Sequence, residues 1–144
     1  MSEQNKGVVR QIVEDHWNNK NTLLASELFA ENCSLHTPDG DLDGIKGVLQ
    51  LLNTYATAFP DFRITIDDAI AEGDCVAVRQ TFAGTHRGPL GGIAASDNRV
   101  TLSDVMVIFR LAAGKVEEAR FAWDRLSLQQ QIGALPRASG QTAS

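Results

Sequence analysis

Cysteine is nearly absent. Cys33 and Cys75 are the only two in 144 residues, too few for a disulfide framework and without the grouping of a metal knuckle. Lysine and arginine never cluster, and the formal net charge is −5 with an isoelectric point near 5.1. A nucleic-acid or anionic-membrane partner would need a basic face, so neither is expected. No apolar run approaches the roughly 20 residues that cross a bilayer. The opening Met1-Ser2-Glu3-Gln4-Asn5-Lys6 lacks the apolar stretch of a secretion signal. The histidines, His16, His36 and His86, lie in separate segments with no H-E-x-x-H spacing, so no metal site is expected. Ser34 and Ser103 stand in no nucleophile motif, and neither cysteine has an activating neighbour in sequence. Gly91-Gly92 lacks the strand-then-helix surroundings of a phosphate loop. What is present is ordinary: 43% apolar and 22% charged residues, the balance of a soluble globular domain. The expectation is one cytoplasmic domain over residues 1–137, with the small and polar residues 138–144 as a disordered tail.

Two periods divide the chain. Val9, Ile12, Val13, His16 and Trp17 recur at helical spacing, and that helix should end near Asn18-Asn19. A second helix is expected from an Asn21 or Thr22 cap, burying Leu24, Leu28 and Phe29. A short extended piece, Cys33 to His36, runs into the turn Pro38-Asp39-Gly40. A third helix from about Ile45 to Ala58 puts Ile45, Val48, Leu49, Leu52 and Tyr55 on one side, until Phe59-Pro60-Asp61 ends it. After that, alternation takes over. Phe62, Ile64 and Ile66 face one way, then Val76, Val78, Gln80 and Phe82 beyond a turn at Gly73-Asp74. A Gly-rich excursion from Gly84 to Asn98 leads to a strand from Val100 to Leu111. Its Val105-Met106-Val107-Ile108-Phe109 stretch is apolar on both faces, so both should be covered, the outer one by a second subunit. Gly114-Lys115 turns the chain into a last strand, Val116 to Trp123, and a short helix follows from Asp124 to Ile132. Helices first and an antiparallel run of strands after them is an α+β architecture.

The strand half carries a recognisable succession: Ala58-Phe59-Pro60-Asp61-Phe62, Glu72-Gly73-Asp74, Gly84-Thr85-His86-Arg87-Gly88, Gly92-Ile93, Phe109-Arg110, Gly114-Lys115-Val116, Trp123-Asp124 and Gln129-Gln130-Gln131-Ile132-Gly133. In this order and spacing it resembles the SnoaL-like polyketide cyclases, members of the NTF2-like superfamily, over nearly the whole chain. The resemblance implies a cone-shaped α+β barrel, three N-terminal helices on a curved antiparallel sheet with a short C-terminal helix. It also implies a homodimer, a deep apolar pocket, and in the name-giving enzymes an intramolecular aldol ring closure without metal or cofactor. The aspartate and histidine of those cyclases align here with Phe121 and Val107, and a histidine of many relatives with Ala119. Ring closure needs a base beside a carbonyl and an acid for the oxygen that gains charge. Phenylalanine and valine supply neither.

The remaining polar candidates are therefore His36, at the end of the first extended piece, His86, and Asp124. Each has a structural role to set beside catalysis: turn contacts for His36, the Gly-rich loop for His86, and a helix cap for Asp124. Gln80 is an amide on an apolar face, which must find a partner when buried. Trp17, Gln80, Val105, Val107, Phe121 and Trp123 are the expected pocket wall. The function expected is a small-molecule pocket protein, acting as a cyclase, isomerase or hydrolase on an apolar cyclic or polyketide-like substrate. The alternative is a binding protein that kept the pocket and lost the acid–base pair; a third is a dimerisation module with a filled cavity.

Overall fold

A computed structural model describes residues 2–136; the tail expected over 138–144 lies outside the described residues. The first helix, α1 (Ser2–Gln11), continues without a break into a wider π-helical segment, Ile12–Asn18. Val9, Ile12, Val13, His16 and Trp17 are all buried, as the helical spacing requires. Asn18 ends the rod with a bidentate contact: its Nδ2 donates to the Ile64 carbonyl at 2.8 Å, and its Oδ1 accepts from the Ile64 N–H at 2.7 Å. The expected second helix is reduced to a 3₁₀ turn, Thr22–Leu24, and a four-residue α2, Ala25–Leu28. Phe29 does not belong to it. β-Branched or aromatic residues give up helical rotamers easily, and Phe29 opens strand β1 (Phe29–Thr37), paired with Val116.

β1 turns through Pro38-Asp39 into a strand the sequence reading missed, β2 (Gly40–Asp43). Then comes α3 (Gly44–Ala58), which stops where expected: Phe59 caps it through its N–H to the Tyr55 carbonyl at 2.8 Å, and Pro60 cannot continue it. The rest is β3 (Arg63–Glu72), β4 (Cys75–Thr85), β5 (Arg99–Ala112), β6 (Lys115–Ala122) and α4 (Arg125–Gln131). The six strands form one curved, unclosed sheet in the order β2-β1-β6-β5-β4-β3. Every pairing is antiparallel except β1 with β6, which is parallel, a correction to the all-antiparallel expectation.

Strand parity then sorts the side chains. On β5 the residues Val105, Val107 and Phe109 are buried against the helices, while Met106 and Ile108 alternate outward and are 44% and 51% exposed. The inward residues of β4 (Val76, Val78, Gln80, Phe82) and of β6 (Val116, Ala119, Phe121) face the same core as α1, α3 and α4. The Gly-rich excursion is pinned at both ends. Arg87 and Gly88 donate their N–H groups to the Ala58 carbonyl at the end of α3, and His86 exchanges backbone bonds with Asp97 and Asn98. Gly88 sits so close to the Thr57 carbonyl that no Cβ would fit.

Candidate functional site

The helices do not fill the concave face of the sheet. Between them lies a pocket enclosing about 80 Å³, or about 600 Å³ when its opening to solvent is counted. The chain has only nine aromatic residues outside histidine, and six of them line this space: Trp17, Tyr55, Phe62, Phe82, Phe121 and Trp123. They run edge to edge around it. Trp17 meets Phe121 at 5.8 Å between centroids, Phe121 meets Trp123 at 6.1 Å, and Trp123 meets Tyr55 at 5.7 Å. Tyr55 meets Phe82 at 6.2 Å, and Phe82 stacks on Phe62 at 5.5 Å. Tilted and T-shaped pairs of this kind gain from the ring quadrupoles as well as from area, so the wall holds its own shape. Leu51, Leu52, Ile64, Leu102 and Val105 fill the gaps.

Five of the six expected wall residues, Trp17, Gln80, Val105, Phe121 and Trp123, do line the pocket. Val107 does not; it is buried in the core. The three expected catalytic side chains are elsewhere. His36 follows Leu35 on β1, and since Cys33 and Leu35 point inward, His36 points to the outer face. There its Nδ1 lies 3.1 Å from Asp41 Oδ1 and its Nε2 lies 3.1 Å from Glu118 Oε2. Glu118 in turn holds Arg110 and Arg120, each at 3.3 Å. His86 is inward and fully buried, but it serves the loop. Ser96 donates its N–H to His86 Nδ1 at 3.1 Å and places its hydroxyl 2.8 Å away. An Nδ1 that accepts leaves the proton on Nε2, which is buried without a partner and lies in a ring tilted against Phe59 at 5.5 Å between centroids. Burial pushes the His86 pKa down. Asp124 caps α4, its Oδ1 accepting from the Ser127 N–H at 2.9 Å.

The structure adds a side chain that sequence reasoning placed only in the core stripe of α3. Among the described residues, Tyr55 is the one ionisable residue of the pocket wall. Its phenol donates to Asp39 Oδ2 at 2.6 Å, and Asp39 accepts from Arg125 Nε at 2.9 Å through its other oxygen. Burial and then the Asp39 carboxylate push the Tyr55 pKa far up, so the phenol stays protonated. Its rotamer is thereby fixed by a surface pair from the β1–β2 turn and the start of α4. Gln80 and Trp123 behave differently. Gln80 is 2% exposed, and its Oε1 has no partner; the Trp123 indole Nε1 is likewise buried and unpartnered. Among the described residues no group of His, Cys, Asp and Glu could hold a metal ion. No helix among them is long and apolar enough to cross a membrane.

The family model for the SnoaL-like polyketide cyclase matches residues 7–132. No curated protein matches the sequence. Among solved structures, a candidate SnoaL-like polyketide cyclase from Jannaschia sp. CCS1 superposes with a TM-score of 0.86, at 23% identity over 94% of this chain and 95% of that one. AclR from Streptomyces galilaeus, a candidate hydroxylase, gives 0.84 at 23% identity over 97% and 87%. TsrD from Streptomyces laurentii gives 0.82 at 26% identity over 92% and 97%. The first two likenesses establish the NTF2-like fold alone.

Proposed function

This chain belongs to the SnoaL-like polyketide cyclase family, and from that premise we propose that it binds an uncharged cyclic small molecule in the pocket without acid–base turnover. One observation carries the reading: among the described residues no carboxylate, imidazole or cationic side chain lines the pocket. A proton taken from carbon needs a base within hydrogen-bond reach of the substrate. His36 is on the far side of the sheet, and His86 and Asp124 are committed to the loop and the cap. An apolar wall favours ligands by roughly 25 cal/mol for each Å² of apolar surface they bury, and it penalises a charge that finds no partner.

Both tryptophans of the chain, Trp17 and Trp123, are in the wall, so intrinsic fluorescence reads occupancy directly. Toluene should change the emission saturably, and Val105→Trp, which fills the space, should abolish the response; no saturable change in the parent rejects the reading. A rival reading keeps the cyclase, with Tyr55 as the acid. It is favoured by the Tyr55–Asp39 bond, and turnover of an anthraquinone-type ester that Tyr55→Phe removes would establish it in place of ours.

The same strands support a homodimer through the outer face. Ile70, Ala77 and Ile108 stand in one row across β3, β4 and β5, and Met106 pairs with Ala122 in the next. Ile70 is 69% exposed, an apolar stripe of a kind that monomers seldom leave open. Sedimentation of the parent should give a dimer and Ile108→Asp a monomer; a monomeric parent removes the proposal.

A further inference from the structure

Two orphaned groups in an otherwise hydrocarbon wall define what the ligand must carry. Gln80 pairs with Val105 across β4 and β5, and Ala122 pairs with Met106 across β5 and β6. Trp123, next after Ala122, therefore comes level with Val105. Gln80, Val105 and Trp123 form one inward row, with Gln80 and Trp123 about 10 Å apart at the backbone, two strand spacings. Both side chains border the pocket, and both have a buried polar atom without a protein partner. Gln80 Oε1 can only accept; Trp123 Nε1–H can only donate. A buried amide oxygen left unmatched costs on the order of 1–3 kcal/mol, and here both residues line the pocket while neither orphaned atom meets the other or any protein group, so a ligand reaches them by a turn of each side chain.

We propose that this pair is the recognition element for a single-ring ligand bearing a phenol-type hydroxyl. The inference rests on the pocket being a ligand site. A hydroxyl is the smallest group with both capacities, its O–H donating to Gln80 Oε1 and its oxygen accepting from Trp123 Nε1–H once the two side chains turn to it. A carboxylate would find no cation in the described wall to offset its desolvation. A hydrocarbon would leave both atoms unmatched. Size narrows the class further. An apolar cavity of about 150 Å³ takes up benzene, and the enclosed part here is about 80 Å³. One ring enters only as the wall gives, and the Tyr55 phenol, held by Asp39, lines the same space.

The test uses the whole chain and three probes of one shape: p-cresol, toluene and p-toluate, titrated by tryptophan fluorescence and by calorimetry. Water holds a phenol more strongly than a hydrocarbon, so an all-apolar pocket would rank toluene first. The expected order is p-cresol about tenfold tighter than toluene, the worth of one net hydrogen bond, with p-toluate not bound. Gln80→Leu should reverse that order, toluene then binding at least as well as in the parent. Trp123→Phe should shrink the preference, read through Trp17. Toluene binding as tight as p-cresol in the parent, or a preference that survives Gln80→Leu, overturns the assignment while leaving the pocket a ligand site. Binding of p-toluate as tight as p-cresol overturns it too. Failure of all three probes to bind overturns both readings.

Discussion

Strand β5 and its neighbour β6 present two different chemistries on their two faces. Inward stand Val105, Val107, Phe109, Ala119 and Phe121, all part of the apolar core or packed against it. Outward stand the exposed Met106 and Ile108 and, beyond them, Arg110, Glu118 and Arg120, linked to one another and through Glu118 to His36 and then Asp41. The charged groups of these two strands stand on the side that meets water, and the pocket side keeps only neutral polar groups, the Gln80 amide, the Tyr55 phenol and the Trp123 indole. A shift of one residue in register would exchange these sets, which is why the contrast is a property of pairing and not of composition.

The contrast breaks most violently if a charge is forced inward. Val107→Asp should cost about 4 kcal/mol or more in urea unfolding, a buried carboxylate with no partner. Ser103→Asp, on the outward parity of the same strand, should stay within about 0.5 kcal/mol; comparable losses for the two would deny the sorting. Next in size is the aromatic wall. Phe82→Ala removes the ring that touches Tyr55, Phe59 and Phe62 and should cost about 3 kcal/mol, with loss of toluene binding in the fluorescence titration.

A subtler asymmetry lies in the histidines. His16 and His86 are buried inside, and burial depresses both pKa values below the usual 6.5. The unfolded chain therefore takes up protons that the folded one refuses, so the stability these sites contribute is complete above about pH 6.5 and declines as pH falls from there. The slope has a ceiling of about 1.4 kcal/mol per pH unit for each histidine. Unfolding curves between pH 7.5 and 5.5 measure it, and His16→Gln should lessen the slope; a flat profile would mean that neither site is protected. The smallest effect belongs outside. His36→Ala should cost no more than about 1 kcal/mol, as exposed ion pairs do, and should leave p-cresol affinity unchanged.

Much of this was legible in the chain. The alternation of Val76, Val78, Gln80 and Phe82 gave the inward face of β4, Phe59-Pro60 gave the end of α3, and Asp124 stood where a helix cap belongs. β2 was not legible, because Gly-Asp-Leu-Asp has no alternation to detect in four residues. The parallel pairing of β1 with β6 joins segments about 85 residues apart in sequence and has no local signature. His36 could have been placed: Cys33 and Leu35 set the inward parity, which leaves His36 outside. Tyr55 was read as a core residue because a phenol on a helical stripe looks the same whether it fills space or borders a cavity. Only its bond to Asp39, across a turn, separates the two.

The amide of Asn18, returning both a donor and an acceptor to Ile64 on the outermost strand β3, acts as a two-atom surrogate for a seventh strand. It closes part of one of the two open margins of the sheet, and it does so beside Ile64, a residue of the pocket wall. Resistance to association at high concentration and the shape of the ligand chamber thus depend on the same carboxamide.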